Sequence, residues 1–170
     1  MANIAQSVNV LSPLLTTKDS LTKQTIYYPL YLFSKYMRGQ SVAVHVRCPE
    51  YEGSMERAVS ADGSNFAWLN GTCDLPLLDV SASINDAVDG EELGKYMSLA
   101  VVNASESEEF SPAIDIFGRV KQCKVFTVTG TGPNAMNTQE KTDVEIKEAA
   151  CDLSTFKLPK ASLSLFRWKV

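Results

Sequence analysis

Hydrophobic and polar positions follow two different periods along this chain. From residue 41 onward they alternate. "SVAVHVRC" sets Val42, Val44, Val46 and Cys48 on one side of an extended backbone and Ala43, His45 and Arg47 on the other. "LLDVSASI" repeats the alternation with Leu78, Val80, Ala82 and Ile84, and "KYMSLAVVN", "AIDIFG", "VKQCKVFTVTG", "DVEIKEA" and "ASLSLFRW" continue it as short strands. Gly, Asn, Asp and Pro punctuate the gaps, as in "NDAVDGEELG" and "TGTGPNAMN". About seven or eight short strands without intervening helices predict a mainly β protein, an antiparallel sandwich or barrel.

Before residue 41 the period is helical. Ile4, Ala5, Val8 and Leu11 predict a helix over about Asn3–Ser12, stopped by Pro13, and the loop "TTKDSLTKQT" follows. A second helix is predicted over Pro29–Arg38, with Pro29 in its first turn and Gly39 just past its end. Leu30, Phe33 and Met37 share one face, and Lys35 and Arg38 lie in the last turns, where the helix dipole favours cations. The chain thus divides into a helical stretch, 1–40, and a β-sandwich, 41–170. Helices this short are marginal in water by themselves. Their apolar stripe and dense aromatics (Tyr27, Tyr28, Tyr31, Phe33, Tyr36) have to be covered, by the sandwich or by something outside the chain.

Composition narrows the function classes. At 170 residues the chain makes one domain-sized core, and 45% hydrophobic with 21% charged residues is ordinary for a globular protein. A net charge of −4 with 16 scattered basic residues argues against nucleic acid as a partner. No run of about 18 apolar residues provides a membrane-spanning helix. The N-terminus lacks the basic start of a signal peptide. With Met1 as the start the chain stays in the cytosol; an export signal of a longer parent would stand upstream, so the compartment is open.

The chemistry-bearing residues form no catalytic constellation. His45 is the single histidine and lies on the solvent side of its alternation. Nucleophile elbows, phosphate-binding loops and dinucleotide-binding glycine patterns are missing, and no helix follows "TGTGPN" to make it a phosphate loop. No Cys/His cluster indicates a metal, and no cofactor is implied. Cys48, Cys73, Cys123 and Cys151 permit three disulfide pairings, among which spacing does not choose. Asn70-Gly-Thr and Asn103-Ala-Ser match the N-glycosylation acceptor pattern. "SESEEF" reads as a solvated loop, and no carboxylate pair is marked for glycosidic chemistry. Tyr51, Trp68 and Trp168 are candidates for stacking on sugars, although Trp168 alternates with Phe166 and reads as core.

Three stretches carry a resemblance. "NIAQSVNVLSPLLTT" with "KQTIYYPLYLFSKYMRG", the loop "GPNAMNTQEK" and the terminal "LPKASLSLFRWKV" resemble α-L-arabinofuranosidases of glycoside hydrolase family 51, in order along the whole chain. The likeness implies a (β/α)8 barrel followed by a jelly-roll-like β-sandwich, with 1–40 as the helical remnant of the barrel's end. A barrel needs about 250 residues. The family's two catalytic glutamates lie on barrel strands, and retaining hydrolysis holds such carboxyl groups about 5–5.5 Å apart; neither has a counterpart here. Gln6, in "NIAQ", matches the family's glutamine that hydrogen-bonds the arabinofuranose, a task suited to an amide that donates and accepts.

The resemblance therefore implies the C-terminal part of an enzyme acting on arabinofuranosyl oligosaccharides. Its partners would be the missing barrel and further copies in a homo-oligomer, and the isolated chain would be inactive. The alternative is a stand-alone carbohydrate- or protein-binding sandwich, which requires Trp68 and Tyr51 exposed in one plane.

Overall fold

The computed structural model describes residues 8–9, 12–52, 74–116, 120, 122–132 and 134–170. In chain order its strands are β1 (Leu14–Thr16), β2 (Leu21–Lys23), β3 (Gln40–Val42), β4 (Glu50–Glu52), β5 (Asp74–Pro76), β6 (Leu78–Asp86), β7 (Lys95–Asn103), β8 (Cys123–Thr129), β9 (Glu145–Cys151) and β10 (Ser162–Lys169). One helix among the described residues, α1 (Tyr27–Tyr36), stands between β2 and β3. The main sheet has six strands in the order β3-β6-β7-β10-β8-β9, each pair antiparallel. β1–β2 and β4–β5 are separate two-stranded ribbons.

The last strand lies between β7 and β8, and its composition explains why. Leu163 and Leu165 point to one face and Phe166 and Trp168 to the other, so every residue from Ser162 to Trp168 is buried. Leu165 stands opposite Ala100 and Phe126, and Phe166 opposite Leu99 and Val125, which carries the two-sided packing across the neighbouring strands. On the Phe166 face the core includes Leu78, Ala82, Leu99, Val101 and Val125, covered by Val46, Cys48, Phe110, Ile114 and Phe156 from the second layer. That layer is tied together by the Phe110–Leu158 bridge. The mainly β, antiparallel architecture is the one that the alternating pattern predicts.

On the Leu165 face, α1 is the cover. Tyr28, Leu32 and Tyr36, four residues apart, are its buried side chains and pack with Ala100, Phe126, Val128 and Leu163. Tyr36 stacks on Phe126 with ring centroids 4.7 Å apart. α1 has no side-chain N-cap and no acidic residue in its first turn. Ten residues do not sustain a helix in water. Packing holds it, with about 1.5–3 kcal/mol expected from burying Leu32 alone.

Several elements differ from the sequence expectation. The first predicted helix does not extend over its described positions: Val8 forms a bridge to Leu14, and Asn9 has a φ of 61°. Asn9 Oδ1 accepts from the Thr16 amide at 2.7 Å, a bond that draws the backbone out of a helix toward the ribbon. Residues 3–7, 10 and 11 lie outside the described residues. The expected loop "TTKDSLTKQT" instead contributes to the β1–β2 ribbon.

α1 begins two residues before Pro29. This is tolerated because the first helical amides have no partner within the helix. Its buried stripe is Tyr28–Leu32–Tyr36; of the expected stripe, Leu30–Phe33–Met37, Phe33 is 38% exposed and Leu30 half-buried, whereas Met37 packs against the sheet-facing cluster. "SVAVHVRC" pairs as a strand only at its start, within Gln40–Val42; Val42, Val46 and Cys48 pack inward, whereas Val44, which the alternation sets on the same side, is 43% exposed. Gly39, at φ +114°, makes the turn from α1 into β3, and a Cβ there would collide with Ile84 O.

Candidate functional site

The predicted site residues are not brought together. Gln6 and Asn70 lie outside the described residues, as do Trp68 and Cys73. Asn103 is 1% exposed, and its amide nitrogen donates to Glu108 O and Pro159 O, both at 2.9 Å, while its oxygen accepts from the Ser105 amide. A glycan on that nitrogen would have to displace a buried pair of bonds, so the residue serves the loop after β7. Trp168 is core, as the alternation predicts. Tyr51 is exposed on β4, opposite the exposed Leu75 of β5. His45 is exposed, as are Glu106, Glu108 and Glu109. Among the described residues no group of three or more His, Cys, Asp or Glu could hold a metal ion.

The most organised polar constellation surrounds Arg167, a residue that the sequence reading passed over. Its side chain is 1% exposed, on the α1 face of β10. Nε donates to Glu91 Oε1, and Nη2 donates to Glu91 Oε2 at 2.6 Å, a two-pronged grip on one carboxylate. Nη1 donates to Asn85 Oδ1 and Ser98 Oγ, each at 2.7 Å, and Nη2 also donates to Asp86 O at 3.2 Å. The guanidinium carbon lies 5.0 Å from the Tyr36 ring centre and 4.6 Å from that of Tyr96.

Each element has a reason to be there. β10 and β7 are in register with Arg167 opposite Ser98, and Asn85 reaches back to donate to Tyr36 O at the end of α1. Burial pushes the Glu91 carboxyl up. Hydrogen bonds from Arg167 and from the Val88 amide outweigh it and hold the group below the usual glutamate range. All the N–H donors of a guanidinium are thereby engaged, so Arg167 has none left for a ligand. The arrangement locks α1, β6, β7 and β10 together. A charge at an inward position of "SLSLFRW", with "DGEELG" to supply a carboxylate, was the available signal.

Asn137 builds a second lock in the β8–β9 loop. Its oxygen accepts from the amides of Asp143 and Val144, each at 2.8 Å, and its nitrogen donates to Lys23 O at 2.9 Å and Val144 O at 2.8 Å. This ties the loop containing "GPNAMNTQEK" to β2 and the start of α1.

Fold and polar sites together define an antiparallel β domain braced by the Arg167 and Asn137 networks. A profile of the α-L-arabinofuranosidase C-terminal domain matches residues 1–162, and the chain belongs to that family. It is 45% identical over 171 residues to a probable α-L-arabinofuranosidase C of Aspergillus niger, covering 100% of this chain and 30% of the relative. It is 41% identical over 170 residues to α-L-arabinofuranosidase C of Emericella nidulans, again 30% of that protein. Among solved structures it resembles an α-L-arabinofuranosidase of Thermotoga maritima in complex with arabinose, with a TM-score of 0.78, 27% identity, and coverage of 100% of this chain and 34% of that one. The glycoside hydrolase family 51 enzyme of Thermotoga petrophila gives 0.73 and 28%, covering 99% and 34%. The chain thus spans about a third of the length of the proteins it matches.

Proposed function

We propose that this chain is the C-terminal part of an α-L-arabinofuranosidase that removes terminal non-reducing α-L-arabinofuranosyl residues from arabinoxylan or arabinan oligosaccharides with retention. By itself it is inactive. The observation that carries the reading is the match over the whole chain to about a third of such enzymes. In this reading residues 1–40 complete a barrel, residues 41–170 form the sandwich, and Gln6 hydrogen-bonds the sugar. α1 supports the division. Beside the stripe buried on the sheet it carries a second one, Ile26, Leu30 and Phe33, with Ile26 and Phe33 exposed. Two apolar stripes on one helix suit a position between two layers. Homo-oligomer formation belongs to the intact enzyme.

The test compares the chain alone with the same chain joined to a family barrel, using an aryl α-L-arabinofuranoside. Turnover is expected only from the joined protein, with a raised KM for Gln6→Ala. Hydrolysis by the chain alone would sink the proposal. A double Ile26→Ser, Phe33→Ser variant should unfold like the parent when isolated and earlier than the parent when joined. The exposed Tyr51–Leu75 pair favours a second reading, a carbohydrate-binding module. It predicts retardation in arabinoxylan gels that Tyr51→Ala abolishes.

A further inference from the structure

Cys123 and Cys151 stand directly opposite one another where β8 pairs with β9, the outermost strand on that side of the main sheet. Opposed residues on antiparallel strands have Cα atoms about 4.5–5.5 Å apart, within the range of about 4.4–6.8 Å that a disulfide spans. Both are free thiols that pack against the Phe166 side of the core, Cys123 buried within it and Cys151 half-buried at its margin. Cys48 lies beside Leu78 of β6, separated from β8 by β7 and β10. Of the described cysteines, only this pair is placed to bond without rearranging strands.

We propose that Cys123 and Cys151 form a reversible disulfide across β8 and β9, made by exchange with a low-molecular-weight disulfide such as oxidised glutathione. Cys151, the more exposed, attacks one sulfur as its thiolate and expels the other as a small thiolate. The Cys123 thiolate then attacks the Cys151 sulfur of the mixed disulfide and expels the second small thiolate. The cysteine protons end on the expelled thiolates, and the two electrons reduce the small disulfide to two thiols. Most side chains of β9 are exposed, so the bond fastens the strand that packing holds least. Burial pushes both thiols up, Cys123 most strongly, so both steps of the exchange accelerate as the pH rises.

The experiment incubates the full chain with oxidised glutathione and maps disulfide-linked peptides without reduction. The expected result is a Cys123–Cys151 linked peptide and a higher unfolding temperature, both reversed by dithiothreitol. Cys151→Ser removes both, and Cys48→Ser leaves both in place. Free thiols at both positions after prolonged incubation, a lasting glutathione adduct on Cys151, or linkage to Cys48 or Cys73 would overturn the proposal.

Discussion

Arg167 holds both oxygens of Glu91, reaching from the buried central strand to the turn between β6 and β7. An arginine with 1% side-chain exposure is sustained only because each of its donors is matched. Arg167→Ala leaves Glu91, Asn85 and Ser98 without their partner and should cost about 3–5 kcal/mol. Arg167→Lys keeps the charge but loses the fork, and should recover only part of that stability. Urea unfolding of the three proteins is the measurement, and equal stability of Ala, Lys and parent would contradict it.

The same pair sets an acid sensitivity. The folded-state carboxyl of Glu91 is held below its unfolded range, so it contributes stability above the ordinary glutamate range, and that contribution is lost as the pH falls through the folded value. Glu91→Gln should therefore lower stability near neutrality and flatten its decline toward acid. Parallel acid-side slopes for parent and variant would show that Glu91 does not set the dependence.

Asn137 joins the loop after β8 to a segment more than a hundred residues earlier through its bond to Lys23 O. Asn137→Ala removes acceptors from two amides and a donor from two carbonyls, and should cost about 2–4 kcal/mol, at about 1 kcal/mol for each bond. Asn137→Asp retains the acceptors but turns a charge toward the carbonyls, so it should not rescue. Faster hydrogen exchange at the Val144 amide is the local sign to look for.

Ser164 has the opposite expectation. It lies on the central strand at 0% exposure, and its hydroxyl is the one fully buried side-chain polar atom without a partner among the described residues. Ser164→Ala should be neutral or stabilising by up to about 1 kcal/mol. Ser162→Ala, which deletes a bond to Pro159 O, should lose about that amount. A clear loss on Ser164→Ala in thermal unfolding would mean that its hydroxyl finds a partner.

β6 to β10 were legible as short apolar-rich runs between turn residues, and "KYMSLAVVN" matches β7 residue for residue. "AIDIFG", expected as a further strand, is not one over its described residues 113–116, although Ile114 and Ile116 still pack against the core. The α1 stripe was misjudged for a physical reason. Periodicity reveals that a helix face is apolar and not which neighbour covers it, and α1 has more than one such face. Arg167 escaped notice because its burial depends on Glu91, Asn85 and Ser98, which converge only when β6, β7 and β10 are in register. The sugar contact proposed for Gln6 rests on the resemblance alone, because Gln6 by itself is one polar residue in a short stretch.

The position of β10 also governs the order of events during synthesis. β7 and β8 leave the ribosome well before the strand that joins them, so until residues 162–169 emerge the nascent sheet is split into β3-β6-β7 and β8-β9. Its two halves expose unpaired inner edges meanwhile, the kind of surface that invites pairing with other chains. Translation that stops short of Ser162 yields two unjoined fragments of a sheet rather than a slightly smaller domain.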